Sequence, residues 1–263
     1  MSAVDDMSDR SDSRINRRQF VAAGGSAFLS FTFAGACSAS GAAAAGDGRL
    51  AARPRKGVAP SLESGLLGLA KGERDGVVQV PSASRDGGVP LLVFLHGATQ
   101  NGAGMLRRIG PAAEALGIAV LAPDSRQRTW DAISGNFGED VAFLNRTLEH
   151  VFTRLAVDPA RLAIGGFSDG ASYALSLALA NGDLFPKVVA CSPGFVTSAP
   201  PQGRPRIFVS HGTADQILPI DQCSRVIVPR LRGLGYDVTY REFEGRHEMP
   251  AEVFGEALRW MTA

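Results

Sequence analysis

A serine framed by glycines, Gly166-Phe167-Ser168-Asp169-Gly170, constrains this chain more than any other stretch. The apolar run Arg161-Leu162-Ala163-Ile164-Gly165 precedes it and reads as a short buried strand. Ala171-Ser172-Tyr173-Ala174-Leu175-Ser176-Leu177-Ala178-Leu179 follows and reads as a helix. A serine on so tight a strand-to-helix turn must adopt a strained backbone, and a side chain at either flanking glycine would collide with the neighbouring strand or helix. The turn lifts the hydroxyl above the carboxyl edge of a sheet. With 31 glycines in the chain, the Gly-x-Ser-x-Gly spacing alone is weak; its strand-turn-helix setting makes it informative.

The rest of the chain alternates in the same way. Strands are expected near Val77 to Val80, at Leu91 to Leu95, at Ile118 to Leu121, at Lys187 to Cys191, at Arg206 to Ser210 and at Val238 to Phe243. Helices are expected near Met105 to Leu116, Glu139 to Leu155, Asp221 to Leu234 and Glu252 to Met261. Alternation of this kind gives an α/β domain, a mostly parallel central sheet with helices on both faces. Residues 61–263 suffice for one such domain, with little spare length for a lid, so the site should be open and shallow.

A serine hydroxyl is a poor nucleophile until a base takes its proton, and the usual base is a histidine oriented by a carboxylate. Four histidines are available: His96, His150, His211 and His247. His150 lies on a helical pattern with Val141, Leu144, Leu148, Val151, Phe152 and Leu155, as a surface residue. His96 and His211 each close an apolar run before a glycine. His247 lies in Glu244-Gly245-Arg246-His247-Glu248-Met249-Pro250, the exit loop of the strand at Val238, on the same sheet edge as Ser168. It is the candidate base. Asp215, in the exit loop His211-Gly212-Thr213-Ala214-Asp215, is the leading acid, and Asp221 the runner-up, read as a helix N-cap. Asp169 should point away along the helix start, and Asp124 ends an earlier strand, where it shapes the site or forms a turn.

Acyl chemistry also needs donors aimed at a developing oxyanion. The N–H of Asp169, at the helix start, is one. The loop His96-Gly97-Ala98-Thr99-Gln100-Asn101-Gly102 supplies the other, with Ala98 first and Thr99 second, and His96 supports that loop. Trp130, Phe195, Ile217 and Leu218 fall on loops that converge on this edge and are candidate walls for an apolar or aromatic group.

Four blocks in this order, Leu95-His96-Gly97, Gly166-Phe167-Ser168-Asp169-Gly170, His211-Gly212-Thr213-Ala214-Asp215 with Pro219, and Gly245-Arg246-His247-Glu248, resemble the α/β-hydrolase superfamily. The branch they resemble is that of small phospholipases and carboxylesterases, including acyl-protein thioesterases, poly(3-hydroxybutyrate) depolymerase-like esterases and feruloyl esterases. The likeness covers roughly residue 75 to the end. It implies an α/β-hydrolase fold, Ser168 as nucleophile, Asp215 as acid, His247 as base and the N–H groups of Ala98 and Asp169 as oxyanion hole. Many acyl-protein thioesterases carry glutamine after the nucleophile where this chain has Asp169, so their specificity is not carried over. Serine in place of cysteine argues against dienelactone hydrolases.

The first 60 residues read differently. Residues 1–36 hold Asn16-Arg17-Arg18-Gln19-Phe20-Val21 and then an apolar stretch, which resembles a Tat export signal ending at Ala34-Gly35-Ala36. Cys37 stands where a bacterial lipoprotein carries its lipid, although Ala34 replaces the usual leucine, so membrane attachment through Cys37 is an open expectation. Residues 37–60, rich in Ala, Gly, Ser and Arg without apolar periodicity, read as a flexible linker. The predicted location is therefore periplasmic, cell-envelope or secreted.

With 27 basic and 26 acidic residues, and no basic stripe, nucleic-acid binding is not expected. No metal-ligand spacing is visible and ester hydrolysis needs no cofactor. Cys191 and Cys223 leave a disulfide open in an oxidising compartment. The sequence thus points to a serine carboxylic-ester hydrolase acting on a small or polymeric ester. The other readings are acyl transfer to a cell-envelope acceptor and an exported, non-catalytic binding protein.

Overall fold

The strands between the first two and the last carry apolar side chains on both faces, and this dictates a sheet buried from both sides. In β3 (Val89–Leu95), every residue after Val89 is buried. Leu91, Val93 and Leu95 join one core and Leu92 and Phe94 the other, as the period of two along a strand requires. The same split recurs in β4 (Ala119–Pro123), β5 (Val157–Phe167), β6 (Lys187–Cys191) and β7 (Arg206–Gly212). The first core is closed by α2 (Glu139–Phe152), α3 (Asp169–Ala180) and α4 (Ser224–Gly233). The second is closed by α1 (Gly102–Ala115) and α5 (Ala251–Thr262).

The computed structural model describes residues 46–70, 72, 74–82, 88–134, 137–197 and 200–263. Its eight strands run β1-β2-β4-β3-β5-β6-β7-β8, with β1 (Gly65–Leu66) and β2 (Gly76–Gln79) antiparallel at one edge and β8 (Val238–Phe243) at the other. All pairs from β4 to β8 are parallel. The order reverses at β3, whose neighbours are β4 on one side and β5 on the other, and ligands of open α/β sheets bind at such a reversal. This is an α/β-hydrolase architecture in one domain.

Two local expectations change. Asp221 is not the N-cap of α4: it lies in a 3-10 turn, Ile220–Gln222, and pairs with Arg225 at 2.8 Å, while Cys223 holds the cap position with no side-chain cap bond. The linker expected over 37–60 is packed in part. Leu50 is 2 % exposed, its N–H donates to Asn181 Oδ1 (2.8 Å), and the N–H groups of Ala51 and Ala52 share Asn145 Oδ1 (2.7 and 2.9 Å). Arg49 and Arg53 both bind the Asp183 carboxylate, and Arg49 above all draws that carboxyl down to about 2. Buried Leu50 and Ala52, two asparagine carbonyl oxygens and the Asp183 carboxylate dock a segment that has no periodicity of its own. The export signal and Cys37 lie outside the described residues. No helix among those described is long and apolar enough to cross a membrane.

A chain beginning at residue 61 should therefore be less stable than one beginning at residue 46. Losing Leu50 burial costs about 2 kcal/mol, and each orphaned amide partner about 1 kcal/mol more. For a domain of this size the melting temperature should drop by roughly 8–16 °C. Equal melting temperatures for the two chains would show that the docking contributes nothing.

Candidate active site

Ser168 follows the last residue of β5 and takes φ 58 and ψ −121, a conformation that L side chains rarely adopt. The turn is possible because its flanks lack side chains. A Cβ on Gly166 would come 2.3 Å from the Gly170 backbone, and one on Gly170 would come 2.2 Å from the Leu95 carbonyl oxygen. The Ser168 N–H is held by the Cys191 carbonyl (2.9 Å), which ties the turn to β6. The side chain is left at the carboxyl edge of the sheet, 9 % exposed.

His247 enters from the β8–α5 loop. Its Nε2 is 2.9 Å from Ser168 Oγ, and its Nδ1 is 2.6 Å from Asp215 Oδ2. With Asp215 as a carboxylate, Nδ1 carries the proton and the Nε2 lone pair faces the serine hydroxyl. The other oxygen of Asp215 accepts from the N–H groups of Ile217 (2.9 Å) and Leu218 (2.8 Å), so the loop after β7 wraps its own carboxylate. His211 adds to this from beneath. It is fully buried, its Nε2–H donates to the Leu218 carbonyl (2.8 Å), and the same nitrogen is 3.2 Å from Asp215 Oδ2. Burial lowers its pKa, so the ring is neutral and the Ser224 hydroxyl donates to Nδ1 (2.6 Å). Sequence reasoning left His211 as a strand-end residue; the signal for more was its place four residues before the acid.

The loop after β3 passes over the turn. A Cβ on Gly97 would lie 3.4 Å from Ser168 Cβ. The N–H groups of Ala98 and Asp169 make no hydrogen bond among the described residues. That of Thr99, the second choice, is committed to the Arg128 carbonyl at 2.7 Å. His96 is buried and neutral, its pKa lowered chiefly by desolvation; Nδ1 donates to the Gly97 carbonyl (2.7 Å) and Nε2 accepts from the Ser125 N–H (3.0 Å). Arg74 reaches the same nitrogen and the Gln100 carbonyl, both at 3.2 Å.

Trp130 is not a pocket wall. It is fully buried between His96 (4.9 Å) and Tyr173 (5.2 Å), and its indole N–H donates to the His96 carbonyl (2.8 Å). A large ring in a long loop buries itself once its polar atom finds an acceptor. Phe195 and Leu218 are half-buried on the loops after β6 and β7, and Ile217 is 61 % exposed beside Asp215. These two loops touch, since a Cβ on Gly194 would lie 3.0 Å from a Leu218 methyl. Asp169 turns its carboxylate to the Thr129 hydroxyl (2.7 Å), and Asp124 accepts from the Gly102 N–H (2.6 Å), joining β4 to α1. Cys191 and Cys223 are free buried thiols, each pushed up to about 11 by desolvation.

Residues 118–262 match the family of phospholipases and carboxylesterases. The chain belongs to that family. Feruloyl esterase C of Emericella nidulans is 30 % identical over 177 residues, covering 64 % of this chain and 64 % of that protein. Probable feruloyl esterase C of Aspergillus clavatus is 29 % identical over 171 residues, covering 62 % and 61 %. This family member thus spans slightly under two thirds of the length of these two relatives. Among solved structures, the Bacillus cereus carboxylesterase superposes with a TM-score of 0.56 at 22 % identity, covering 71 % of this chain and 92 % of that one. A phospholipase/carboxylesterase from Dyadobacter fermentans gives 0.58 at 16 %, covering 74 % and 99 %. At these identities the structures speak to the fold.

The platform under the β3 loop contains a titrating group. Asp140, at the start of α2, accepts the N–H groups of Arg126 (2.6 Å) and Asp131 (2.7 Å), and so holds the segment that carries Arg128 and Trp130. Desolvation first, and then the neighbouring Asp131 carboxylate, raise its pKa to about 6 despite those donors. The native state therefore binds a proton more tightly than the unfolded chain, and this group's contribution to stability falls as pH rises from about 4 to about 6. Asp140→Asn abolishes that titration. The melting temperature of the variant minus that of the wild type should climb across this window; a flat difference would contradict the assignment.

Proposed function

We propose that this family member is a serine carboxylic-ester hydrolase working through Ser168, His247 and Asp215. The observation that carries the reading is the unbroken hydrogen-bond chain from Ser168 Oγ through the imidazole to a fully buried carboxylate, 2.9 and 2.6 Å. His247 Nε2 takes the hydroxyl proton as Oγ bonds to the ester carbonyl carbon. The resulting oxyanion accepts from the free N–H groups of Ala98 and Asp169. His247 then returns the proton to the leaving alcohol as the C–O bond breaks, which leaves an acyl-serine. Water, deprotonated by the same imidazole, attacks that ester and releases the acid and Ser168. Asp215 keeps Nδ1–H pointed inward and stabilises the imidazolium formed in each half. Its buried setting raises the worth of that charge relative to water.

For the acyl group we propose an apolar or aromatic acid lying along Phe195, Ile217 and Leu218. The relatives named feruloyl esterase C place feruloyl esters first on the panel. Ser168→Ala should hydrolyse p-nitrophenyl acetate and a feruloyl ester at least about a thousandfold more slowly than wild type, with the fold retained. A fluorophosphonate probe should label the wild type alone. Equal rates in the two proteins would remove Ser168 from the chemistry.

We further propose export of the folded domain on the strength of Arg17-Arg18 and the apolar stretch that follows. Replacing both arginines by lysine should leave the enzyme in the cytoplasmic fraction of a bacterial host. Unchanged distribution between fractions would contradict it.

A further inference from the structure

We propose that Arg108, on α1, is a positioning residue for His247; the proposal rests on His247 being the general base. The loop that carries His247, residues 244–250, is tied at its first half to the loop after β7 by the Ala214 N–H, which donates to the Gly245 carbonyl (2.9 Å). Its next hydrogen bonds are internal: the Arg246 N–H donates to Glu248 Oε1 (3.0 Å) and the Glu248 N–H to the Arg246 carbonyl (3.0 Å). Among the described residues, one hydrogen bond reaches the main chain of residues 247–249 from outside that loop. It comes from Arg108 Nη2–H to the Met249 carbonyl, at 2.9 Å.

The same guanidinium makes a second link to the imidazole. Its central carbon lies 5.6 Å from the centroid of the Phe167 ring, and that ring is 4.8 Å from the His247 ring at an angle of 37°. Phe167 stands immediately before the nucleophile and is 5 % exposed. Arg108 therefore grips the two neighbours that fix the imidazole: the backbone two residues after His247 and the aromatic surface on which its ring rests. A cation over an aromatic face holds that ring by its quadrupole, and the planar fork of arginine lets one N–H reach a carbonyl meanwhile. The Ser168 and Asp215 contacts fix the two ring nitrogens; the Arg108 contacts act on the backbone and the aromatic face beside them. Proton transfer in both half-reactions depends on the Oγ···Nε2 distance, to which displacements of about 1 Å are costly.

Arg108 is largely solvent-exposed and takes part in no ion pair among the described residues, so it can be replaced without opening the core. Arg108→Met keeps an apolar stem against Phe167 but has neither charge nor donor. It should lower kcat on a p-nitrophenyl ester by about tenfold with KM within about twofold, because the substrate contacts are untouched. Labelling by a fluorophosphonate should slow in parallel yet reach the wild-type end point, since every molecule still carries a folded site. Arg108→Lys, which keeps a cation and a donor but has no planar fork to serve ring and carbonyl at once, should recover part of the loss. Wild-type kcat in Arg108→Met would overturn the proposal. So would a loss matched by a lower labelling end point, or one that lysine does not relieve, because either outcome marks a general structural role. If Ser168→Ala retains activity, the site assignment itself fails, whatever Arg108 does.

Discussion

A serine forced into positive φ is the constraint around which this molecule is arranged. The strain is sustained only because strand, turn and helix meet through bare backbone: Gly166 faces Gly170, and Gly170 faces the end of β3. That approach fixes the start of α3 directly above the β3–β5 pair, where the sheet order reverses. It also leaves the first N–H of α3 without an acceptor, since the opening N–H groups of a helix have no intrahelical partner. One local geometry thus produces a hydroxyl set at the sheet edge, a free donor beside it and a helix start that favours negative charge. A side chain at position 166 or 170 would undo all three together.

Polar groups around the turn sort into two buried frameworks. The first surrounds Asp215. The carboxylate gathers its own following backbone N–H groups, the imidazole of His247 and the close Nε2 of His211, so it is desolvated without being left unpaired. The second lies under the loop after β3, where His96, Trp130, Ser125 and Asp140 pass hydrogen bonds from β3 to α2. In the first, a carboxylate is held against the imidazole. In the second, two buried rings, backbone groups and the Asp140 carboxyl hold a loop whose own N–H at Ala98 makes no hydrogen bond among the described residues. The neighbouring Thr99 N–H, by contrast, donates to the Arg128 carbonyl.

The sheet, its two-sided burial and the loops bearing Ser168, Asp215 and His247 could all be read in the sequence, since strand period and exit-loop position depend on local pattern. Trp130 was misread because loop membership says nothing about which way a ring turns; an indole N–H finding the His96 carbonyl decided it. Asp221 looked like a cap because it precedes a helix, but a 3-10 turn intervenes and its partner is Arg225. Residues 48–53 looked like linker because their order comes from Asn145, Asn181 and Asp183, about 90 to 135 positions away, which no local window contains. The strand β1, two residues long, carries no periodicity at all. His211 left only the signal of its spacing from Asp215, and Arg108 left none, because their contacts form only after the sheet has formed.

Register is what converts these distant loops into one site. Leu95 pairs with Gly166, Phe167 with Cys191, Cys191 with Ser210, and Gly212 with Phe243. These are the last rungs of four successive parallel ladders, and the candidate residues follow within a few positions of them. A slip of one residue in any ladder would move a loop by about 3.3 Å and invert the faces of that strand. Inversion would drive Phe208 or Val209 into the opposite core, where the helices differ, so the apolar alternation that buries the sheet also sets the spacing of serine, carboxylate and imidazole. Precision at the edge is therefore inherited from packing in the middle. The β8–α5 loop lies farthest from the centre of that ladder system, on the edge strand, and inherits the least. The cross-link from Arg108 of α1, a helix packed chiefly on β4 and β2, is the contact proposed to supply there what the register does not.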